Sequence, residues 1–165
     1  MSGDLWNPNL QDSDFEKAEI RNLVLEQYKI YVEMADRVSS RRSLANTFFL
    51  TLNTAVVAFA GQLVARQTPH HVGLLAFPFT VLVIQCLAWF YLVRSYRQLN
   101  SAKYRIVGAL EERLPASPYW RAEWKELGEG KDRKKYWPIS HVEQWVPLLF
   151  ALLYAGSFVA LWLSR

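Results

Sequence analysis

Hydrophobic and polar positions divide this chain into three long uncharged stretches separated by charge-rich ones. From Leu44 to Ala65 it runs 22 residues without a charged side chain, and two similar stretches follow, Val72 to Val93 and Gln144 to Ser164. A bilayer core about 30 Å thick takes about 20 helical residues to cross, so each stretch is long enough to span. The pattern predicts an all-α membrane protein with transmembrane helices at 44–65, 72–93 and 144–165, a short extracytoplasmic turn at 66–71 and a long loop at 94–143. These stretches are too long and too far from the N-terminus to be a cleaved signal peptide.

The first stretch is unusual in carrying Asn46, Thr47, Thr51, Asn53, Thr54 and Gln62. At about 100° per residue all six fall in one half of a helix, with Phe48, Phe49, Leu52, Val56, Phe59 and Leu63 opposite. A polar amide left in hydrocarbon costs several kcal/mol, so this half is expected to meet protein or water, as a lumen or as an interhelical polar face. The third stretch carries Ala151, Ala155, Gly156 and Ala160, small-xxx-small pairs that let backbones approach and predict oligomer packing.

The flanking parts read as helices too. Ser13-Asp14-Phe15-Glu16 has capping-box spacing and predicts a helix start there. Behind it Ile20, Leu23, Val24, Tyr28, Tyr31, Met34, Ala35 and Val38 recur at helical spacing, so residues 1–43 form a long amphipathic helix. No Gly or Pro interrupts the run to Gly61, and Ser39 to Ser43 is the one candidate hinge. After the second span the periodicity continues through Leu110 and Leu114 until Pro115 ends it. Residues 115–143 are broken by Pro and Gly and studded with aromatics, of which Trp137 and Trp145 flank the third span as an interfacial belt.

Charge sets the orientation. Residues 1–43 hold six Lys/Arg against eight Asp/Glu, residues 94–143 hold eleven against seven, and the 66–71 link holds only Arg66. Positive residues stay in the cytoplasm, which predicts a multi-pass membrane protein with a cytoplasmic N-terminus and a C-terminus on the other side. Arg41 and Arg42 then stand at the cytoplasmic mouth of the first span. The two cytoplasmic pieces are of opposite net charge, and either pack together or remain solvated faces.

Little points to chemistry. Cys86 is the only cysteine and reads as a small buried hydrophobe. Gly128-Glu129-Gly130-Lys131 lacks the spacing and the Ser/Thr of a phosphate loop. The Arg66 to His71 spacing and the neighbouring His70 and His71 form no catalytic or metal set, and His141 with Glu143 lacks a third ligand. The expectation is no catalytic residue, metal or cofactor. Basic residues interleaved with aromatics at 115–143 suit stacking on a nucleotide, but no nucleic-acid-binding motif accompanies them, so nucleic acid is disfavoured as a partner.

The strings EQYKIYVEMADRVSSRRSLANTFFLTLNTA (26–55), LNSAKYRIVGALEERLP (99–115) and GEGKDRKKYWPISHVEQWVP (128–147) resemble the RipA family of small octameric bacterial inner-membrane proteins. The resemblance implies a homo-octamer in the bilayer, with a link to growth inside host cells and to pH response, and supplies no catalytic residues. In outline the chain also looks like small membrane effectors of antiphage systems, an architectural analogy. Two functions follow as expectations: a regulated pore or membrane-perturbing effector in stress response or defence, and a non-conducting scaffold that docks a cytoplasmic protein or nucleotide. An enzyme with a site built across subunits ranks behind both.

Overall fold

The computed structural model describes residues 5–65, 72–131, 134–136 and 139–163. The link 66–71 with Arg66, His70 and His71, together with Trp137 and Arg165, lies outside them. The described residues are helical and contain no strand. Three helices are long and apolar enough to cross a membrane: α1 (Ala18–Ala65), α2 (Val72–Glu111) and α4 (Ile139–Leu163); α3 (Trp124–Glu126) is a single turn. The chain divides into a head unit, Met1–Ser40 with Gln98–Pro138, and a membrane unit, Arg41–Arg97 with Ile139–Arg165.

In the membrane unit α2 supplies the seam. Leu82, Cys86, Trp89 and Val93 recur at four- and three-residue spacing and are all at most 1% exposed, which places them on one stripe of the helix. Phe49 of α1 stacks on Trp89 with centroids 5.8 Å apart, and Phe150 of α4 packs on its other side at 6.1 Å. Phe79 meets Phe158 at 5.2 Å further along. Of the three apolar windows, 33% of α2 is buried against 11% of α1 and 6% of α4. Thus α2 is the inner helix, and most of the surface of α1 and α4 is left for lipid or other copies. Pro78 and Pro147 are both accommodated inside helices and buried.

The head unit has its own core, in which Phe15, Val24 and Leu110 are buried among Trp6, Leu10, Ile20, Tyr28, Tyr31, Ile106 and Leu114. Its start differs from the sequence expectation. Asp12–Glu16 is a 3-10 turn, Lys17 is extended (φ −70°, ψ 132°) and α1 begins only at Ala18. The Ser13/Glu16 spacing is not the cap used, because the Asp14 carboxylate accepts from the Gln11 N–H at 2.9 Å and closes the turn two residues earlier. Through Ser39 to Ser43, the expected hinge, the helix is continuous. At the other end α2 stops at Glu111, ahead of Leu114, where tight turns take over (Arg113 N–H to Leu110 O, 3.1 Å; Leu114 N–H to Glu111 O, 3.0 Å). Helix α4 starts at Ile139, five residues before the predicted span.

One ion pair links the two polar segments of the head unit. Arg113 reaches Asp12 at 2.7 Å and lays its guanidinium 4.3 Å above the Phe15 ring, which itself meets Trp6 edge-on at 4.8 Å.

Candidate functional site

The six polar residues of the first span do not share one environment. At about 100° per residue, Asn46 and Asn53 lie together on the side of Phe49 and Ala60, about 120° round the helix from Thr47, Thr51 and Thr54. Half a helix surface is wide enough to hold an inward face and an outward face, and the structure divides the six accordingly.

Asn53 is 1% exposed at the meeting of all three membrane helices. Its Nδ2 donates to the Phe49 carbonyl one turn back at 2.7 Å. Its Oδ1 accepts from the Tyr154 hydroxyl of α4 at 3.0 Å and from the Cys86 thiol of α2 at 3.8 Å. One turn-pair away Asn46 Oδ1 accepts from the Trp89 indole N–H at 2.8 Å, and buried Gln85 donates to the Phe49 carbonyl at 3.4 Å. An indole or phenol deep among apolar helices has to find an acceptor, and the two asparagines supply it within one protomer. The polar side chains of Asn46 and Asn53 are thus engaged between helices of one protomer.

Thr47, Thr51, Thr54 and Gln62 are exposed on the outward side of α1. Each threonine hydroxyl donates to the carbonyl four residues earlier, at 3.2, 2.9 and 2.9 Å. The strip continues with exposed Ser43, Ala58 and Gly61, and exposed Leu44, Leu50 and Val57 border it. The flank beside it carries Phe48 and Phe59, both about 60% exposed.

Arg41 is exposed, but Arg42 is not a free cation: its Nε lies 3.1 Å from Glu143 Oε2, with both side chains largely covered. The two arginines expected at the cytoplasmic mouth thus differ in their surroundings. The four small residues of α4 also separate. Ala151 is half-buried, whereas Ala155, Gly156 and Ala160 are exposed, and a Cβ added at Gly156 would meet nothing within 4 Å. This surface is open to a neighbouring helix.

Sequence reasoning missed a second polar centre, in the head unit. Glu111 is 1% exposed, and its carboxylate accepts from Tyr28 OH (2.9 Å), Ser117 Oγ (2.8 Å) and the backbone N–H groups of Tyr119 (3.2 Å) and Trp120 (2.9 Å). It thereby ties α1, the end of α2 and the π-helical turn Pro118–Glu123 together. Trp120 lies flat over Gly108, where a Cβ would approach its ring to 2.6 Å, so glycine is required for the contact. The available signal is the spacing Val107, Leu110, Glu111, Leu114: a carboxylate on an apolar stripe. Gln85 and Tyr154 carry a similar signal, as lone polar groups in apolar spans. Among the described residues no cluster of His, Cys, Asp and Glu has the makings of a metal site.

Comparison with curated proteins finds no match, and neither does comparison with solved structures. A family model does match, over residues 25–163, taking in all three apolar helices and the buried polar centres of both units. On that match, and with three membrane-length helices, the chain belongs to the octameric membrane protein family.

Proposed function

We propose that the octamer encloses a passage whose wall is the hydroxyl strip of α1, making the protein a regulated pore or membrane-perturbing effector in bacterial stress response or defence. The carrying observation is the strip itself: Thr47, Thr51, Thr54 and Gln62 are exposed on the side of α1 away from the protomer core, while Phe48, Phe59, Phe77, Leu149 and Leu152 supply surfaces suited to lipid. In a ring of protomers an uncharged polar face belongs where lipid is not. We place the protein in the inner membrane with its N-terminus and head unit cytoplasmic, following the Lys/Arg distribution. Arg41 rings the cytoplasmic mouth, and Gly156 with Ala160 offers a close-packing surface to the next protomer. The proposal assigns the protein no reaction of its own.

A second reading has an observation in its favour. Because each threonine hydroxyl is satisfied by its own helix, the strip tolerates a dry helix contact, as a non-conducting scaffold requires. In that case the head units recruit a cytoplasmic protein or nucleotide.

Ion flux from liposomes holding the purified octamer separates the two. The pore reading expects flux that falls when Thr51→Leu and Thr54→Leu dry the passage and that shifts towards cations with Arg41→Glu. No flux from an intact octamer, with cytoplasmic extract added as a source of activator, selects the scaffold.

A further inference from the structure

The membrane unit is nearly without acids. Its two segments, 41–97 and 139–165, hold six arginines, no lysine and a single carboxylate, Glu143. Four of the arginines, Arg41, Arg42, Arg94 and Arg97, fall at the end where the uncharged runs give way to the polar segments. Neighbouring residues of α4 bring α1 and α2 to one level there: Glu143 holds Arg42 at 3.1 Å, and Gln144 accepts from Arg97 Nη1 at 2.6 Å. The apolar window of α4 opens at Val142, so this level is the border of the hydrocarbon layer. Four arginines less one carboxylate leave the border at +3, with no further acid in the unit to offset it.

Arg94 is the member best placed for a ligand from the bilayer. It is exposed, it follows directly on the uncharged run Val72 to Val93, and at about 1.5 Å per residue it stands about 4–5 Å nearer the hydrocarbon than Arg97. At about 100° per residue it lies about 60° round α2 from Arg97, away from the buried Leu82 to Val93 stripe, and in line with Leu87, two turns deeper and 44% exposed. Tyr91 on α2 and Trp145, next to Gln144 on α4, are each 65% exposed near the same level. Amphipathic rings of this kind sit among lipid headgroups. A guanidinium offers two N–H groups to two oxygens of one phosphate, which an ammonium does not. A zwitterionic headgroup would bring its own cation to a border already positive, whereas an anionic one neutralises it.

We propose that Arg94, with Arg97 braced on Gln144 as the second cation, binds the phosphate of an anionic phospholipid whose acyl chain lies along Leu87. The site requires only that the helices cross a membrane, so a protein that does not conduct leaves it standing. The test adds phosphatidylglycerol or phosphatidylcholine of identical acyl chains to the purified protein in mild detergent and counts retained lipids by native mass measurement. Retention of phosphatidylglycerol, up to one per protomer, is expected at concentrations that leave phosphatidylcholine unbound. Arg94→Gln is expected to weaken that retention about five-fold, the share of one cation at a lipid surface. Arg94→Lys, which keeps the charge and loses the fork, should fall between, and Lys29→Gln on the exposed face of the head unit should change nothing. Equal retention of the two lipids by the unaltered protein overturns the proposal, and needs no variant to be folded. Unchanged retention by Arg94→Gln overturns it too. So does displacement of the lipid by an equal concentration of glycerol 3-phosphate, since the ligand is then a soluble phosphate and not a lipid.

Discussion

Replacing Asn53 with Leu distinguishes a polar core from a polar passage. Asn53 is the acceptor for the Tyr154 hydroxyl at 3.0 Å and has a further donor in Cys86 at 3.8 Å. Leucine is of similar size and fits the apolar surroundings, but it takes from the Tyr154 hydroxyl the acceptor it uses. Interhelical hydrogen bonds within membranes are worth about 0.6 kcal/mol on average and about 2 at most, and an abandoned buried donor costs about 1–3 kcal/mol. The expected loss is about 1–2 kcal/mol. Tyr154→Phe alone removes the donor and costs about 1 kcal/mol. Combined, the two substitutions leave little polar group unmatched, so the double variant should be more stable than the sum predicts by about 1 kcal/mol. The assay is reversible unfolding of the purified protein in mixed micelles with rising denaturing detergent. Strict additivity, or an Asn53→Leu protein of unchanged stability and abolished flux, would refute the placement of Asn53 in the protomer core.

Glu111→Ala strips the acceptor from four donors, two of them backbone N–H groups, and should destabilise the head unit by about 3 kcal/mol or more, read as faster amide exchange across 111–124 with the membrane helices unaffected. Acid should act on the same unit, since Lys17 donating to Asp14, and Arg121 donating to Glu112, hold both carboxyls below their ordinary values. A lowered carboxyl pKa contributes stability above the ordinary range, about pH 4, and loses it as the pH falls through the lowered value; exchange at residues 11–17 should therefore rise only on strong acidification, and an onset near neutrality would contradict it. Topology is checked by fusion: a reporter active only in the periplasm should work after Arg165 and be silent at Gly3, and the reverse would take the head unit out of the cytoplasm.

Much of the fold is legible in the sequence because an uncharged run of 22 residues has few uses other than crossing a membrane. Helix α1 is legible for the same kind of reason, as nothing between Ala18 and Ala65 breaks it. What is not legible depends on neighbours. The half-helix holding Asn46, Asn53 and the threonines divides only once α2 and α4 are placed against one edge of it. Ala151 and Gly156 separate likewise, although they share a helix. At residues 13–16 two caps compete over a few atoms, and Asp14 takes the N–H that the Ser13 spacing seemed to claim. Arg42 looks like a free charge until Glu143, a hundred residues later, arrives beside it. Glu111 and Glu112 are adjacent carboxylates at a helix end; one is buried under four donors and the other is exposed to Arg121.

The central claim is that α1 turns its threonines, and not its asparagines, towards water inside the octamer. Single cysteines placed at 46, 48, 51, 53, 54 and 59 in a Cys86→Ala background, reconstituted in liposomes and treated with a charged, membrane-impermeant thiol reagent, test it position by position. The account predicts rapid modification of Thr51→Cys and Thr54→Cys, with Asn46→Cys and Asn53→Cys protected by the protomer core and Phe48→Cys and Phe59→Cys protected by lipid. Modification of Asn53→Cys while both threonine positions stay inert would contradict it.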